Sequence, residues 1–341
     1  MMKKIILFLG VVFMLSGCGK YNDNDLLKEL NSKIEDSKNY QITATLDIYR
    51  NEEKFSYDVV STYKKGDYFK VELVNKKNNH EQIILKDQES VYVLTPALNK
   101  SFKFQSEWPY NNSQIYLLQP ILKDIEVDSE RKFETFDNGY TITSKVNYSS
   151  EKDFKYQKVY FDLDKNITKV EILDDNENVK MMLNVINIKY NEKLDNDLFD
   201  VNRYQKKIEE DKTSDECTNN DCTINKEAIN ELGEIVYPMY VPTDTYLTSQ
   251  DVVSTDSGER VILTFSGESN FTLVQENIKE SDSINYVYGD PYLILDTVGS
   301  ITDYSVSWIS NGVEYSVMSD TMSVDELMTV AQSITVQTVG K

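Results

Sequence analysis

The chain has 341 residues, with 36 Lys and Arg against 57 Asp and Glu, and a formal charge of −21. Such a surface repels phosphates and anionic headgroups, which excludes nucleic acid as a partner, since that requires a basic footprint. Twenty-three tyrosines, only 12 glycines and 6 prolines, and 40% apolar residues describe a β-rich globular chain, long enough for two domains.

At the N-terminus Lys3 and Lys4 precede an apolar run from Ile5 to Leu15. Eleven residues are too few to span a hydrocarbon core of about 30 Å, but they fit the h-region of a secretory signal. The run ends in Leu15-Ser16-Gly17-Cys18, which resembles the bacterial lipobox: small residues admit the peptidase and the thiol accepts a diacylglycerol. Residues 1–17 are therefore expected to be a lipoprotein signal peptide, with Cys18 lipidated and the chain held on the outer face of the cytoplasmic membrane. Two or three acyl chains suffice for stable anchoring. Loss of Lys3 and Lys4 takes the charge to −23, and no other apolar run approaches transmembrane length.

After a short tether, Asp23 or Asn24 is placed to cap a helix through about Asp36, with Leu26, Leu27, Leu30 and Ile34 on one face. From Tyr40 the period becomes two. Tyr40, Ile42, Ala44, Leu46 and Ile48 share one face and polar residues the other, as in a half-buried antiparallel strand. Similar runs follow at Phe55 to Tyr63, Tyr68 to Val74, Gln82 to Lys86, Ser90 to Thr95 and Ser101 to Gln105, with polar turns between them. Asn111-Asn112-Ser113 is placed to cap a helix through Ile115, Tyr116, Leu117, Leu118, Ile121 and Leu122, which Pro120 is expected to kink or divide. Strands resume at Gly139 to Tyr148, Lys155 to Leu163, Ile167 to Leu173 and Val179 to Tyr190, completing a meander of about ten strands over residues 18–204.

Residues 205–232 are almost wholly polar and read as a linker carrying Cys217 and Cys222, with a short helix from about Asn225. An α+β domain over 233–341 follows. Its expected strands are Arg260 to Phe265, Phe271 to Glu276, Tyr292 to Asp296, Ser300 to Ile309 and Gly312 to Met318. In its last helix Ser323 and Glu326 form a capping box, and Leu327, Val330, Ala331 and Ile334 make the apolar face.

These features carry a resemblance. Residues 24–204 resemble the LolA-type lipoprotein-carrier domains, and the whole layout resembles the YdcC-like sporulation lipoproteins of Gram-positive bacteria. The matching parts are the N-terminal amphipathic helix, the hairpin at Asp87-Gln88-Glu89-Ser90-Val91-Tyr92, and the central helix from Gln114 to Leu122. A late hairpin from Val159-Tyr160-Phe161-Asp162 to Val170-Glu171-Ile172 and the closing Asp197-Leu198-Phe199-Asp200-Val201 also match. The residues after 233 resemble a small uncharacterised module that follows such domains, through Tyr237-Pro238, Val241-Pro242, Trp308 and Asn311-Gly312-Val313-Glu314-Tyr315.

The resemblance implies a mainly β fold: a curved, incompletely closed antiparallel barrel with lid helices across its mouth, followed by the α+β domain. A pocket of that kind takes acyl chains from water at about 0.8 kcal/mol per buried methylene. Its lid would be Trp108, Ile115, Leu117, Leu118, Ile121 and Leu122. The same residues serve equally well as a plug for the sheet's own core. Carriers of this family place an Arg-Pro on an early strand, whereas this chain has Tyr63-Lys64-Lys65-Gly66-Asp67 there, which argues against a full carrier cycle.

No catalytic constellation is legible, and neither a cofactor nor a metal is implied. The single histidine, His80, sits in a polar turn. Asp162-Leu163-Asp164-Lys165-Asn166 imitates a calcium loop, but Ile167 replaces the glycine and Leu173 the twelfth-position Glu, so a hairpin turn explains it better. Cys217 and Cys222 can be read as a metal half-site, a redox pair or a disulfide, and export favours the disulfide. Two functions compete: binding of lipid acyl chains or lipoproteins in a hydrophobic cavity, and regulatory or assembly work in the envelope or in sporulation through contact with another protein.

Overall fold

The computed structural model describes residues 21–50, 53–98, 100–148, 151–204, 235–255, 258–278, 284–294 and 296–334. The expected signal peptide with Cys18, the cysteine pair and the helix expected from Asn225 lie outside them. No helix among the described residues is long and apolar enough to cross a membrane.

Helix α1 (Asp23–Asp36) is capped one residue earlier than expected, by Asn22. The Asn22 side chain accepts from the amides of Asn24 and Asp25, and the Asp25 carboxylate accepts from the Asn22 amide in return. This is a capping box, with acidic residues at the positive end of the helix dipole. A meander then runs through β1 (Asn39–Arg50), β2 (Glu53–Lys64), β3 (Tyr68–Asn75), β4 (Glu81–Asp87), β5 (Ser90–Thr95) and β6 (Lys100–Gln105). Helix α2 (Leu118–Val127) crosses to a second meander of β7 (Lys132–Phe136), β8 (Gly139–Lys145), β9 (Tyr156–Phe161), β10 (Ile167–Leu173) and β11 (Val179–Tyr190). The two meanders join where β11 pairs antiparallel with β1, and the outer strands do not meet, so the sheet stays open.

Two expectations in this half are corrected. Helix α2 starts at Leu118, not near Ser113, and runs on to Val127. Pro120 is its third residue, in the first turn where a missing N–H costs nothing, so it opens the helix without kinking it. Ser113 instead donates to Asp124 at 2.6 Å and accepts from the Asn147 amide at 2.7 Å. The short edge strand β7 was not anticipated: Phe133 and Phe136 lie three apart, on opposite faces, and leave no alternation to read.

The later residues form β12 (Thr245–Thr255), β13 (Gly258–Gly267), β14 (Phe271–Asn277), β15 (Ile284–Tyr288), β16 (Asp290–Ile294), β17 (Thr297–Ile301), β18 (Ser305–Ser310), β19 (Val313–Met318) and α3 (Val324–Gln332). The expected strand from Ser300 to Ile309 is two strands with a turn between, and β12 and β15 are additional. Seven strands make a second sheet in the order β12-β13-β14-β19-β18-β17-β16, with α3 packed over β18 and β19. The capping box of Ser323 and Glu326 is present as expected.

Strand β15 does not belong to that sheet. It pairs in parallel with β6 and becomes the twelfth strand of the first sheet. The chain passes from one sheet to the other at Gly289, whose φ is +96° and where a Cβ would sit 2.1 Å from the Ile301 carbonyl oxygen. Only glycine tolerates both conditions.

The sheets are also bolted together by Gln82 on β4, which is 4% exposed. Its side chain accepts from the Val298 amide at 2.6 Å and donates towards Thr297 Oγ1 (3.1 Å) and the Val298 carbonyl (3.4 Å). Val287, Leu293 and Val298 pack into the core of the first sheet. Gln82→Leu would leave the buried Val298 N–H without an acceptor, a loss of about 1–3 kcal/mol. Urea unfolding followed by tryptophan fluorescence should show a lowered midpoint; an unchanged midpoint would mean that Gln82 does not hold the sheets together.

Candidate functional site

The concave face of the first sheet is where the lid was expected. Alternation places Tyr40, Ile42, Ala44, Leu46 and Ile48 of β1 on that face, all 0–2% exposed. Cross-strand register then brings an aromatic residue to the same level on four adjacent strands: Tyr190 opposite Tyr40, Tyr40 opposite Tyr63, and Tyr63 opposite Phe69. Their ring centroids are 5.1–6.5 Å apart, and Trp108 meets Phe69 edge-on at 6.1 Å. Such pairs contribute roughly 0.5–1.5 kcal/mol each beyond their burial.

Helix α2 has no side-chain cap of its own. The buried Tyr40 hydroxyl takes that role: it accepts from the Leu118 amide at 3.2 Å and donates to the Gln119 side chain. Burial pushes this phenol well above its ordinary pKa, and its bond to the Leu118 amide only partly opposes the rise. Gln157 on β9 donates to the Ile121 carbonyl at 2.9 Å and ties the middle of the helix to the sheet.

Trp108, Ile115, Leu117, Leu118, Ile121 and Leu122 are all brought together here, each 0–3% exposed, in one core with α1 and the strands. Beside them the enclosed spaces are small. One of about 30 Å³ lies among Ile48, Arg50, Ile115, Tyr148 and Leu293, and one of about 40 Å³ lies between the two sheets near Gln82, Phe102 and Trp308. Ligand pockets for small molecules are commonly about 300–1,000 Å³. Among the described residues the aromatic row and α2 thus pack into the concavity that an open barrel leaves, and the spaces beside the lid residues are far smaller than a ligand pocket.

A cleft of about 680 Å³ opens elsewhere, at the end of the first sheet where the β1–β2 and β10–β11 ends, residues 151–154 and helix α3 meet. Its floor is the Arg50–Glu151 ion pair at 2.6 Å, with both side chains about nine-tenths buried and the guanidinium 5.5 Å from the Phe154 ring. Gln332 of α3 donates to the same Glu151 oxygen at 2.8 Å. On the rim, Asp325 accepts from the Lys152 amide and pairs with its ammonium, both at 2.9 Å. Burial works against the Arg50 charge, but the Glu151 carboxylate more than offsets it and holds the guanidinium above its ordinary pKa.

Arg50, Glu151 and Gln332 are far apart in the chain, and no local motif joins them. One signal was available: Arg50 continues the even-numbered series of β1 that faces the core, so a charge there requires a buried partner. Of the other residues singled out, His80 is half-buried, with Asp296 of the β16–β17 turn nearby; burial lowers its pKa and the Asp296 carboxylate opposes this. Asp162 closes a hairpin turn by accepting from the Asn166 amide at 2.8 Å. Among the described residues no three His, Cys, Asp or Glu side chains are grouped to hold a metal.

The sequence is 30% identical, over 335 residues, to the sporulation protein YdcC of Bacillus subtilis (strain 168), covering 97% of this chain and 96% of that one. No family model matches. Among solved structures, similar chains occur in the Pseudomonas aeruginosa MucA/MucB complex (11% identity, 91% of this chain and 98% of that one, TM-score 0.33) and in a LolA superfamily protein of Nitrosomonas europaea (9%, 54% and 100%, 0.31). Another occurs in the complex of the CwlD amidase with the GerS lipoprotein from Clostridioides difficile (19%, 50% and 97%, 0.30). Likenesses at this level say nothing of function.

Two measurements test the packing around these sites. Burial pushes the Asp124 carboxyl on α2 up to about 6, with the Ser113 hydroxyl and Lys123 only partly opposing it. The folded state therefore holds this proton more tightly than the unfolded one. Stability should fall as pH rises from about 4 to about 6, by up to roughly 2–3 kcal/mol. Asp124→Asn keeps an acceptor for Ser113 and should stabilise the protein at pH 7.5 but not at pH 3.5; equal effects at both would refute the assignment. Separately, Arg50→Met should cost about 3–5 kcal/mol by leaving Glu151 buried and unpaired. Adding Glu151→Leu should recover most of that loss in thermal unfolding, and failure to recover would mean that the pair's burial is not what matters.

Proposed function

The chain belongs to the family of the sporulation protein YdcC, and from that premise we propose that it is a tethered binding module of the cell envelope that meets other proteins through its surface. The lipobox-like Leu15-Ser16-Gly17-Cys18 supports lipid anchoring through Cys18 on the outer face of the cytoplasmic membrane. Work in sporulation is inferred from the relative's name.

The filled interior carries the choice between the two functions considered from sequence. For an acyl chain to enter, the lid must leave. Exposing its six apolar residues costs about 1.5–3 kcal/mol each, roughly 9–18 kcal/mol together, while a chain of about 16 methylenes regains only about 13 kcal/mol. The exchange leaves no dependable surplus, whereas the cleft beside α3 is open and polar without any rearrangement. That cleft has the size of a binding site and lies where the first sheet meets helix α3 of the later part of the chain, a common kind of place for one.

The test uses the full chain in its own membranes. Photo-crosslinkers replacing Lys54 or Thr329, on the cleft rim, should yield protein adducts of defined mass. Protein carrying Cys18→Ala, extracted with organic solvent and analysed by mass spectrometry, should release no stoichiometric acyl lipid. One acyl chain per molecule, with no protein adduct, would replace this reading with lipid carriage.

A further inference from the structure

A second surface, remote in chemistry from the polar cleft, is the outer strand of the second sheet. Strand β12 pairs only with β13 among the described residues, so one edge of eleven residues faces outward. Exposed edges are normally blunted by short length, Lys, Pro or a covering element. Strand β12 is about twice the usual strand length, and residues 245–255 contain no Lys, Arg or Pro. Its one irregularity is a bulge between Leu247 and Ser249, which leaves the residues after it in regular register.

The strand is apolar as well as open. Leu247 and Val252 lie opposite the buried Phe265 and Val261 of β13 and therefore extend the core face beyond the core, at 42% and 53% exposure. Tyr246 and Val253 are exposed on the other face. Tyr237, Met239 and Tyr240 of the preceding segment are also exposed, and the Tyr237 hydroxyl donates to Gln250 of β12 at 2.6 Å. Met239, 83% exposed, is the most open of these.

The edge strand and its approach are acidic, and the basic residue opposite β12, Arg260 facing Val253, is paired with Glu276 at 2.6 Å. Residues 235–255 contain Asp244 and Asp251 and no Lys or Arg. A second copy would set acid against acid in a chain already at −21, which like-charge repulsion across paired strands disfavours. We propose that β12 is a docking edge for an extended segment of another protein that joins as an eighth strand. Its alternate residues are apolar and cover Leu247 and Val252, and it carries Lys or Arg against Asp251. Main-chain hydrogen bonds supply affinity in this mode, and the side chains at alternate positions supply selectivity.

This rests on the protein-contact reading above but on a different surface, so the two can fail separately. The probe is a seven-residue peptide alternating valine with lysine and threonine, compared with the same peptide carrying glutamate for lysine, each titrated into the full chain. The basic peptide should bind at least tenfold more tightly and slow hydrogen exchange at residues 246–254. Asp251→Lys should reverse the preference, whereas Asp303→Lys, on the β17–β18 turn, should not. Equal affinity for both peptides, or a preference moved as much by Asp303→Lys, would overturn the proposal. So would slow exchange, in the free protein, of the β12 amides that do not bond to β13; seen at every concentration it would mean a segment of the same chain, and with a doubling of mass a second copy. In native membranes a crosslinker replacing Val253 should capture the same partner protein on repeated isolation. Capture from Lys54 or Thr329 but never from Val253 would remove the edge alone, and capture from none would remove the protein-contact reading as well.

Discussion

Tyr40 stands where the two halves of the first sheet and the lid helix meet. Its ring lies between Tyr63 and Tyr190 on the flanking strands, and its hydroxyl supplies the cap that α2 lacks. A buried phenol must find a partner or pay for its desolvation, and the first turn of α2 has an amide without an intrahelical acceptor. Each group answers the need of the other. The helix is thereby held down over the aromatic row, and the concave face becomes a core.

That constraint leaves the accessible features of the described residues at the outside of the molecule. An open antiparallel sheet with a loose lid could hold a guest, but here the guest's place is taken by residues that also hold the sheet together. Two features lie at the boundaries: the polar cleft floored by Arg50 and Glu151, and the edge of β12 that has no second strand beside it among the described residues. Two of the outer strands, β7 and β12, differ in kind. Strand β7 is short and carries Lys132 and Glu134, which discourage pairing, whereas β12 is long and lacks any basic residue.

The crossing of β15 makes the two sheets mechanically continuous. A strand from the later part of the chain extends the earlier sheet, Gly289 allows the chain to turn back at once, and Gln82 grips the backbone of β17 from the opposite side. Helix α3 and the β1–β2 end therefore face each other across the cleft at a set distance, with the Glu151 carboxylate reached from both sides.

Much of this architecture could be read directly. Period-two alternation located nine of the twelve strands in the first sheet within a residue or two, and the Ser323–Glu326 pair marked the start of α3, because both signals depend on neighbours in the chain. The six lid residues were legible as a group for the same reason. Their role was not: apolar side chains at helical spacing look the same whether they border a hollow or fill one, and only the cross-strand register of Tyr190, Tyr40, Tyr63 and Phe69 shows that the space is taken. Strand β15 is not legible in the sequence because its partner is β6, 183 residues earlier. The floor of the cleft joins positions 50, 151 and 332, whose meeting depends on how two sheets pack and on nothing local. Local pattern determined the elements and the faces they bury; the tertiary structure alone decided which buried face meets which, and so whether a concave sheet is a container or a core.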